Sequence, residues 1–117
     1  MEREEVFEYV DQKYQTKPEY LWRKYPKYSV LRHQDNRKWY GLVMDVKPEN
    51  LGVDEKGTED VMDIKLKPEQ IDVLQDEAGI LPAYHMNKTH WVSIRLNKVS
   101  DTEIHKLIDA SYLETKK

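Results

Sequence analysis

The stretch Val61-Met-Asp-Ile-Lys-Leu-Lys67 runs directly into Pro68-Glu-Gln-Ile-Asp-Val-Leu-Gln-Asp-Glu-Ala78 and Gly79. In its first half the side chains alternate, with Met62, Ile64 and Leu66 on one side and Asp63, Lys65 and Lys67 on the other. A period of two with one polar side predicts a half-buried antiparallel strand. In the second half the apolar positions widen to Ile71, Leu74 and Ala78, the spacing of one helical face. Pro68 suits a first helical turn, where its missing N–H costs nothing, and Gly79 can take the left-handed conformation that closes a helix.

Downstream, residues 80–87 read as irregular or extended, and Trp91-Val-Ser-Ile-Arg-Leu96 alternates again. Ser100-Asp-Thr-Glu103 is a capping box, and Ile104, Leu107, Ile108, Ser111 and Tyr112 behind it recur at helical spacing. Upstream, residues 48–57 form a loop with glycine turn signals. Lys38–Val46 is rich in aromatic and β-branched residues, and the polar turn Gln34-Asp-Asn-Arg37 joins it to an extended run from Tyr28 to His33 as a hairpin. Tyr25-Pro-Lys-Tyr28 stops any helix from entering that run. At the front, Val6, Phe7, Val10 and Tyr14 mark a helix with acids at its start and Lys13 and Lys17 at its end, as the helix dipole favours. Pro18 ends it or opens a short new turn, for which Thr16-Lys-Pro-Glu19 reads as a capping box. The order is α-β-β-β-α-β-β-α. Adjacent strands rather than strict β-α-β alternation predict an α+β fold, a mainly antiparallel sheet with helices packed on it. Nothing divides residues 1–117, so they read as a single domain without repeats.

Size and composition narrow the function classes. A chain of 117 residues, 38% hydrophobic and 35% charged, can bury one core under an ionised surface. The absence of cysteine excludes disulfides, thiolate zinc sites and cysteine nucleophiles, and predicts a cytoplasmic setting. No apolar run approaches the roughly 18–20 residues of a membrane span, so no membrane partner is expected. Net charge is −3, unevenly spread: −4 over residues 1–12, +6 over 13–40, −7 over 41–81 and +2 over 82–117. The whole is no bulk polyanion binder, but a local basic face is allowed.

Two stretches concentrate chemistry. Leu81-Pro-Ala-Tyr-His-Met-Asn-Lys-Thr-His-Trp91 holds two histidines, an amide, a lysine and two aromatic rings. His85 and His90 lack a third ligand of fitting spacing, so no metal is expected. His85 as a general base has no nucleophile motif beside it, and no glycine-rich phosphate loop exists. As plain architecture, Tyr84 and Trp91 cap the core and Asn87-Lys-Thr89 makes a turn in which Asn87 bonds its own backbone. Asp54-Glu55 and Glu59-Asp60 read as decoration of a solvated loop. The second stretch, residues 13–40, carries seven of the twelve aromatic residues interleaved with Arg23, Lys24, Lys27, Arg32, Arg37 and Lys38. That pattern suits phosphate contacts with base stacking; equally, rings can bury while lysine stems lie over them.

Tyr84-His-Met-Asn-Lys-Thr-His-Trp91, the preceding Gly79-Ile-Leu-Pro82, and Ser111-Tyr112 together resemble the MmcQ/YjbR-like family, as do Lys38-Trp-Tyr-Gly-Leu-Val-Met44 and Asp63-Ile-Lys-Leu-Lys-Pro-Glu69. The resemblance runs from about Val6 to Leu113. It departs at Ala83, where the family pattern leads one to expect a small residue, often glycine. It implies a two-layer α-β(3)-α-β(2)-α fold of the double-wing type, the order read above. Members are commonly called DNA-binding on that fold analogy, and the family supplies no catalytic residue or cofactor. On this basis the chain is expected to be a small non-enzymatic DNA-binding domain. Arg32, Arg37, Lys38, Lys88, His90 and Arg95 would contact phosphates through basic hairpins, while Asn87 and Tyr84 would shape the turn; Tyr84, His85, Met86, Asn87, Lys88, His90, Trp91, Ser111 and Tyr112 are the residues that match the family motif. The alternative is a protein-interaction or chaperone-like module acting on a protein partner or as a homodimer. A third reading, a small-molecule or enzymatic role around Tyr84, His85 and Trp91, requires one pocket containing all three. Ser111, polar on an apolar helix face, is expected to bond a backbone carbonyl or the 84–91 segment.

Overall fold

The switch from period two to helical spacing appears in the computed structural model, which describes residues 1–116. Its elements are α1 (Arg3–Tyr14), β1 (Ser29–Arg32), β2 (Trp39–Val46), a 3-10 turn at Pro48–Leu51, β3 (Glu59–Lys65), α2 (Pro68–Leu74), β4 (Ile80–Pro82), β5 (Trp91–Arg95) and α3 (Asp101–Glu114). The five strands form one sheet in the order β1-β2-β3-β5-β4, and each neighbouring pair is antiparallel. The α+β class and the element order expected from the sequence are both present.

One face of the sheet carries the helices. Val6 and Val10 of α1 and Ile104, Leu107 and Ile108 of α3 pack with Val43, Met62, Ile64 and Ile94 in one core. Each fully buried side chain of this kind contributes about 1.5–3 kcal/mol. The two helices are also pinned to each other. Asp109 accepts hydrogen bonds from the Tyr14 hydroxyl at 2.6 Å, the Tyr9 hydroxyl at 2.8 Å and Lys13 Nζ at 2.8 Å. Burial alone would raise the Asp109 pKa, but these three donors favour the carboxylate and hold it below its usual value. Ser100 caps α3 by accepting from the Glu103 N–H. Ser111 is fully buried; its hydroxyl donates to the Tyr40 carbonyl at 2.6 Å and accepts from the Lys65 N–H at 2.9 Å. The expected bond to a backbone carbonyl is therefore present, and it joins α3 to β2 and β3 rather than to the 84–91 segment.

Four expectations change. Helix α2 ends at Leu74 rather than Ala78, and Gly79, with φ +86°, turns the chain into β4 instead of closing the helix. Thr16–Glu19 opens no helix: Glu19 pairs with Val30 as an extension of the sheet edge, and Thr16 is buried, accepting from the Tyr40 hydroxyl. Glu59 and Asp60 are not loop decoration. Glu59 is buried against Arg95, and Asp60 binds the Arg3 guanidinium at 2.8 Å and 3.0 Å. Most consequentially, the polar side of the 61–67 alternation is solvated only towards its end, where Lys65 is half-buried and Lys67 exposed. Val61 and Asp63 are both fully buried, because irregular segments cover the face of the sheet opposite the helices.

Candidate binding site

That second face is built from alternate positions of the central strands. Val30, Leu42, Met44, Val46 and Val61, with Tyr28, form a buried apolar layer, and Trp22, Trp39, Tyr84 and Met86 pack over it. Two segments supply the cover. Residues 20–28 cross it in extended and turn conformations, which Pro26 enforces by fixing its φ and by donating no hydrogen bond. A Tyr28 N–H bond to the Tyr25 carbonyl at 3.1 Å closes that turn. Residues 84–86 approach from the β4–β5 connection. His85 sits in the left-handed region at φ +68°, which turns the chain so that Tyr84 and Met86 face the layer while the His85 ring stays exposed.

Between the two segments lies a cleft of about 340 Å³ walled by Trp22, Tyr25, Tyr28, Trp39, His85 and Met86. Its rings are ordered against one another. Tyr25 stacks on Tyr28 at 4.7 Å, and Trp22 meets Tyr28 at 78° and Trp39 at 84°. The His85 ring stands 6.3 Å from Tyr28. Burial, aided by the nearby Tyr84 and Asp45, pushes the Tyr28 hydroxyl up to about 12, so it is a neutral phenol throughout the physiological range.

A polar chain under the face fixes the 84–86 segment. The Tyr84 N–H donates to Ser93 Oγ at 2.8 Å, and Ser93 Oγ donates to Asp63 Oδ1 at 2.5 Å. Cross-strand register puts Asp63 opposite Ser93 on β5. Asp63 is fully buried and its Oδ2 has no hydrogen-bond partner among the described residues. Burial raises its pKa to about 7, more than the Ser93 hydrogen bond and the charge of Lys88 draw it down. Ser93 thus performs the anchoring that the sequence suggested for Ser111. Neither Ser93 nor Asp63 stood out, because alternation marks a side of a strand and not what covers it. The available signal was the apolar run from Trp39 to Val46, which has hydrophobic residues on both sides of the strand.

The six expected phosphate-contacting residues do not converge. Arg95 is buried: its guanidinium binds Glu59 at 2.7 Å and 3.0 Å and Glu55 at 2.8 Å, with 8% of the side chain exposed. Arg32 and Arg37 both lie against Glu19, at 3.1 Å and 3.5 Å, on the β1 edge of the sheet. Lys38 is exposed at the end of the same hairpin. Lys88 and His90 are exposed in the turn before β5, on the side of β4, the opposite edge. Within that turn Asn87 Oδ1 accepts from the Thr89 N–H at 2.8 Å, the local bond expected of it. Trp91 is buried and lines a separate hollow of about 490 Å³ beside Leu81 and Ile71. No single pocket therefore joins Tyr84, His85 and Trp91. Tyr112 stacks on Tyr14 at 3.6 Å on the helix side. Among the described residues no group of three His, Asp or Glu side chains is placed to hold a metal ion, and no helix is long and apolar enough to cross a membrane.

The comparisons with known proteins agree with this geometry at the level of fold and family. The YjbR family model matches residues 2–114. The uncharacterized protein YyaQ of Bacillus subtilis (strain 168) is 49% identical over 115 residues, covering 97% of this chain and 98% of its own. A crystal structure from Pseudomonas syringae superposes with a TM-score of 0.95 at 45% identity, covering 98% of this chain and 99% of that one. A Deinococcus radiodurans protein with a DUF419 domain, 20% identical, shares the fold at a TM-score of 0.74 over 99% of this chain and 79% of its own.

Proposed function

The chain belongs to the YjbR family, and from that premise we propose that it is a non-enzymatic nucleic-acid-binding domain whose contact surface is the aromatic cleft and its basic border. One observation carries the reading. Residues 20–28 contain Arg23, Lys24 and Lys27 and no acid; all three are exposed with no ion-pair partner among the described residues, and Arg23 and Lys24 lie in the chain between the cleft-wall residues Trp22 and Tyr25, whereas Lys27 lines a separate hollow with Glu2, Asp45 and Asp60. Free cations next to exposed rings supply the two terms nucleic acid needs, phosphate neutralisation and base stacking. The hairpin residues Arg32 and Arg37 contribute less, since Glu19 already neutralises part of their charge.

The test is fluorescence anisotropy of a labelled random duplex and the corresponding single strand at 50 and 200 mM salt. Three or four phosphate contacts predict a loss of about 40- to 150-fold in duplex affinity over that range. No binding of either probe at about 100 μM protein in the lower salt overturns the reading.

A protein-binding role is the second reading. It is favoured by the exposure of Tyr20 (57%), Leu21 (47%) and Tyr25 (49%) within six residues of one another. Contiguous exposed apolar surface is the usual mark of an interface. Sedimentation across a wide concentration range tests for self-association, and a second copy of the chain seated there would appear as a concentration-dependent dimer.

A further inference from the structure

We infer that the cleft is selective for single-stranded nucleic acid, seating one unpaired base against the Tyr25–Tyr28 stack while the adjoining phosphates meet Arg23 and Lys24. This rests on the nucleic-acid reading above and specifies its ligand. In a duplex the base faces are covered by their neighbours and only their edges line the grooves; an unpaired base exposes a whole face. The cleft offers ring faces rather than edge-reading groups. Tyr25 and Tyr28 lie 4.7 Å apart and inclined by only 21°, a stack that a further flat ring can extend. Trp22 stands nearly perpendicular to Tyr28 and to Trp39, so it walls the side of such a ring instead of competing for its face. No asparagine, glutamine, aspartate or glutamate lines this cleft, which removes the side chains that pair bidentately with adenine or accept from cytosine and leaves His85 as the polar ring among its walls.

Charge biases the path of the backbone. The cations Arg23, Lys24 and Lys27 belong to the same segment as the stacking tyrosines. The acids Asp45 and Glu49 instead line the neighbouring hollow of about 510 Å³, beside Lys24 and Lys47. That hollow shares Tyr25, Tyr28 and His85 with the cleft, so a backbone leaving the cleft is drawn towards Arg23 and the near side of Lys24 and away from Asp45 and Glu49. With no bidentate amide or carboxylate in the walls, sequence preference should be weak.

The structure supplies its own optical probe, since Trp22 and Trp39 wall the cleft while Trp91 is buried elsewhere. The experiment titrates a 12-nucleotide oligothymidylate and a 12-base-pair duplex into the full chain at 50 mM salt, reading tryptophan emission and anisotropy of end-labelled probes. The single strand should bind at least tenfold more tightly than the duplex and quench tryptophan emission. Tyr25→Ala should weaken single-strand binding about fivefold to more than a hundredfold, the range for losing one base–aromatic stack, and Tyr25→Phe should restore it. Tyr25 is half-exposed, so neither change endangers folding; matched urea unfolding curves check this. Arg23→Ala and Lys24→Ala should each reduce the salt slope by about 0.7. Duplex binding as tight as single-strand binding, or single-strand binding indifferent to Tyr25→Ala, overturns the inference while leaving nucleic-acid binding intact. Absence of binding by both probes overturns both.

Discussion

Asp63→Asn should make the domain gain stability relative to the native sequence as pH rises. Asp63 is fully buried, bonded through one oxygen to Ser93, and its pKa is raised to about 7 from an ordinary value of 3.8. The folded state therefore holds this proton more tightly than the unfolded state does. At pH 8 the unfolded chain has lost it freely, whereas the folded chain must bury a carboxylate with one oxygen unpaired. Stability contributed by the proton is complete below about pH 4 and is lost as pH rises to about 7. At about 1.4 kcal/mol per unit, the native protein gives up about 4 kcal/mol by pH 8 compared with pH 3, and about 2–3 kcal/mol of that between pH 5 and pH 8. Asparagine keeps the shape and the acceptor for Ser93 but does not titrate. Its amide also has an unpaired donor, which costs about 1–3 kcal/mol, so the absolute stabilisation is not the readout. Instead, urea unfolding of both proteins at pH 5 and pH 8 gives the difference in stability at each pH, and every other titrating group cancels. That difference should move by about 2–3 kcal/mol in favour of the variant on going to pH 8. An unchanged difference would mean that Asp63 is ionised in the folded state at pH 5 and that the face above it is wet.

Three other outcomes follow from the packing. Ser111→Ala should cost about 2–4 kcal/mol in urea unfolding, because it strands the Tyr40 carbonyl and the Lys65 N–H that its hydroxyl now serves. Arg95→Ala should destabilise by about 3–5 kcal/mol by leaving Glu59 buried without its cation, yet leave the salt slope of nucleic-acid binding unchanged, as anisotropy on the folded fraction will show. Gly79→Ala should cost at least about 1 kcal/mol, since φ there is +86° and the added Cβ would lie 2.7 Å from Val99 Cγ2; thermal unfolding measures it.

Much of the architecture is local and was legible from residue spacing. The alternation of Val61–Lys67, the helical recurrence of Ile104, Leu107 and Ile108, the Ser100 cap and the Asn87 turn each depend on residues within a few positions of one another. Chain order then limits how such elements pack, which is why the α+β class and the antiparallel sheet followed. The family motif was equally legible, though part of it proved to be framework: Trp91 is buried, and Ser111 ties a helix to the sheet.

What the tertiary structure decided was which polar groups meet. Asp63 and Ser93 are 30 residues apart and Arg95 and Glu59 are 36 apart, and nothing local to any of them signals the pairing. An arginine in a strand has the same sequence signature whether it faces phosphate or a buried glutamate. Only the β3–β5 register and the segments lying over that face remove Arg95 from the surface and leave Arg23, Lys24 and Lys27 upon it. Periodicity fixes the side of a strand on which a residue lies. Whether that side is wet depends on distant chain folding over it, here residues 20–28 and 84–86 meeting above the same sheet.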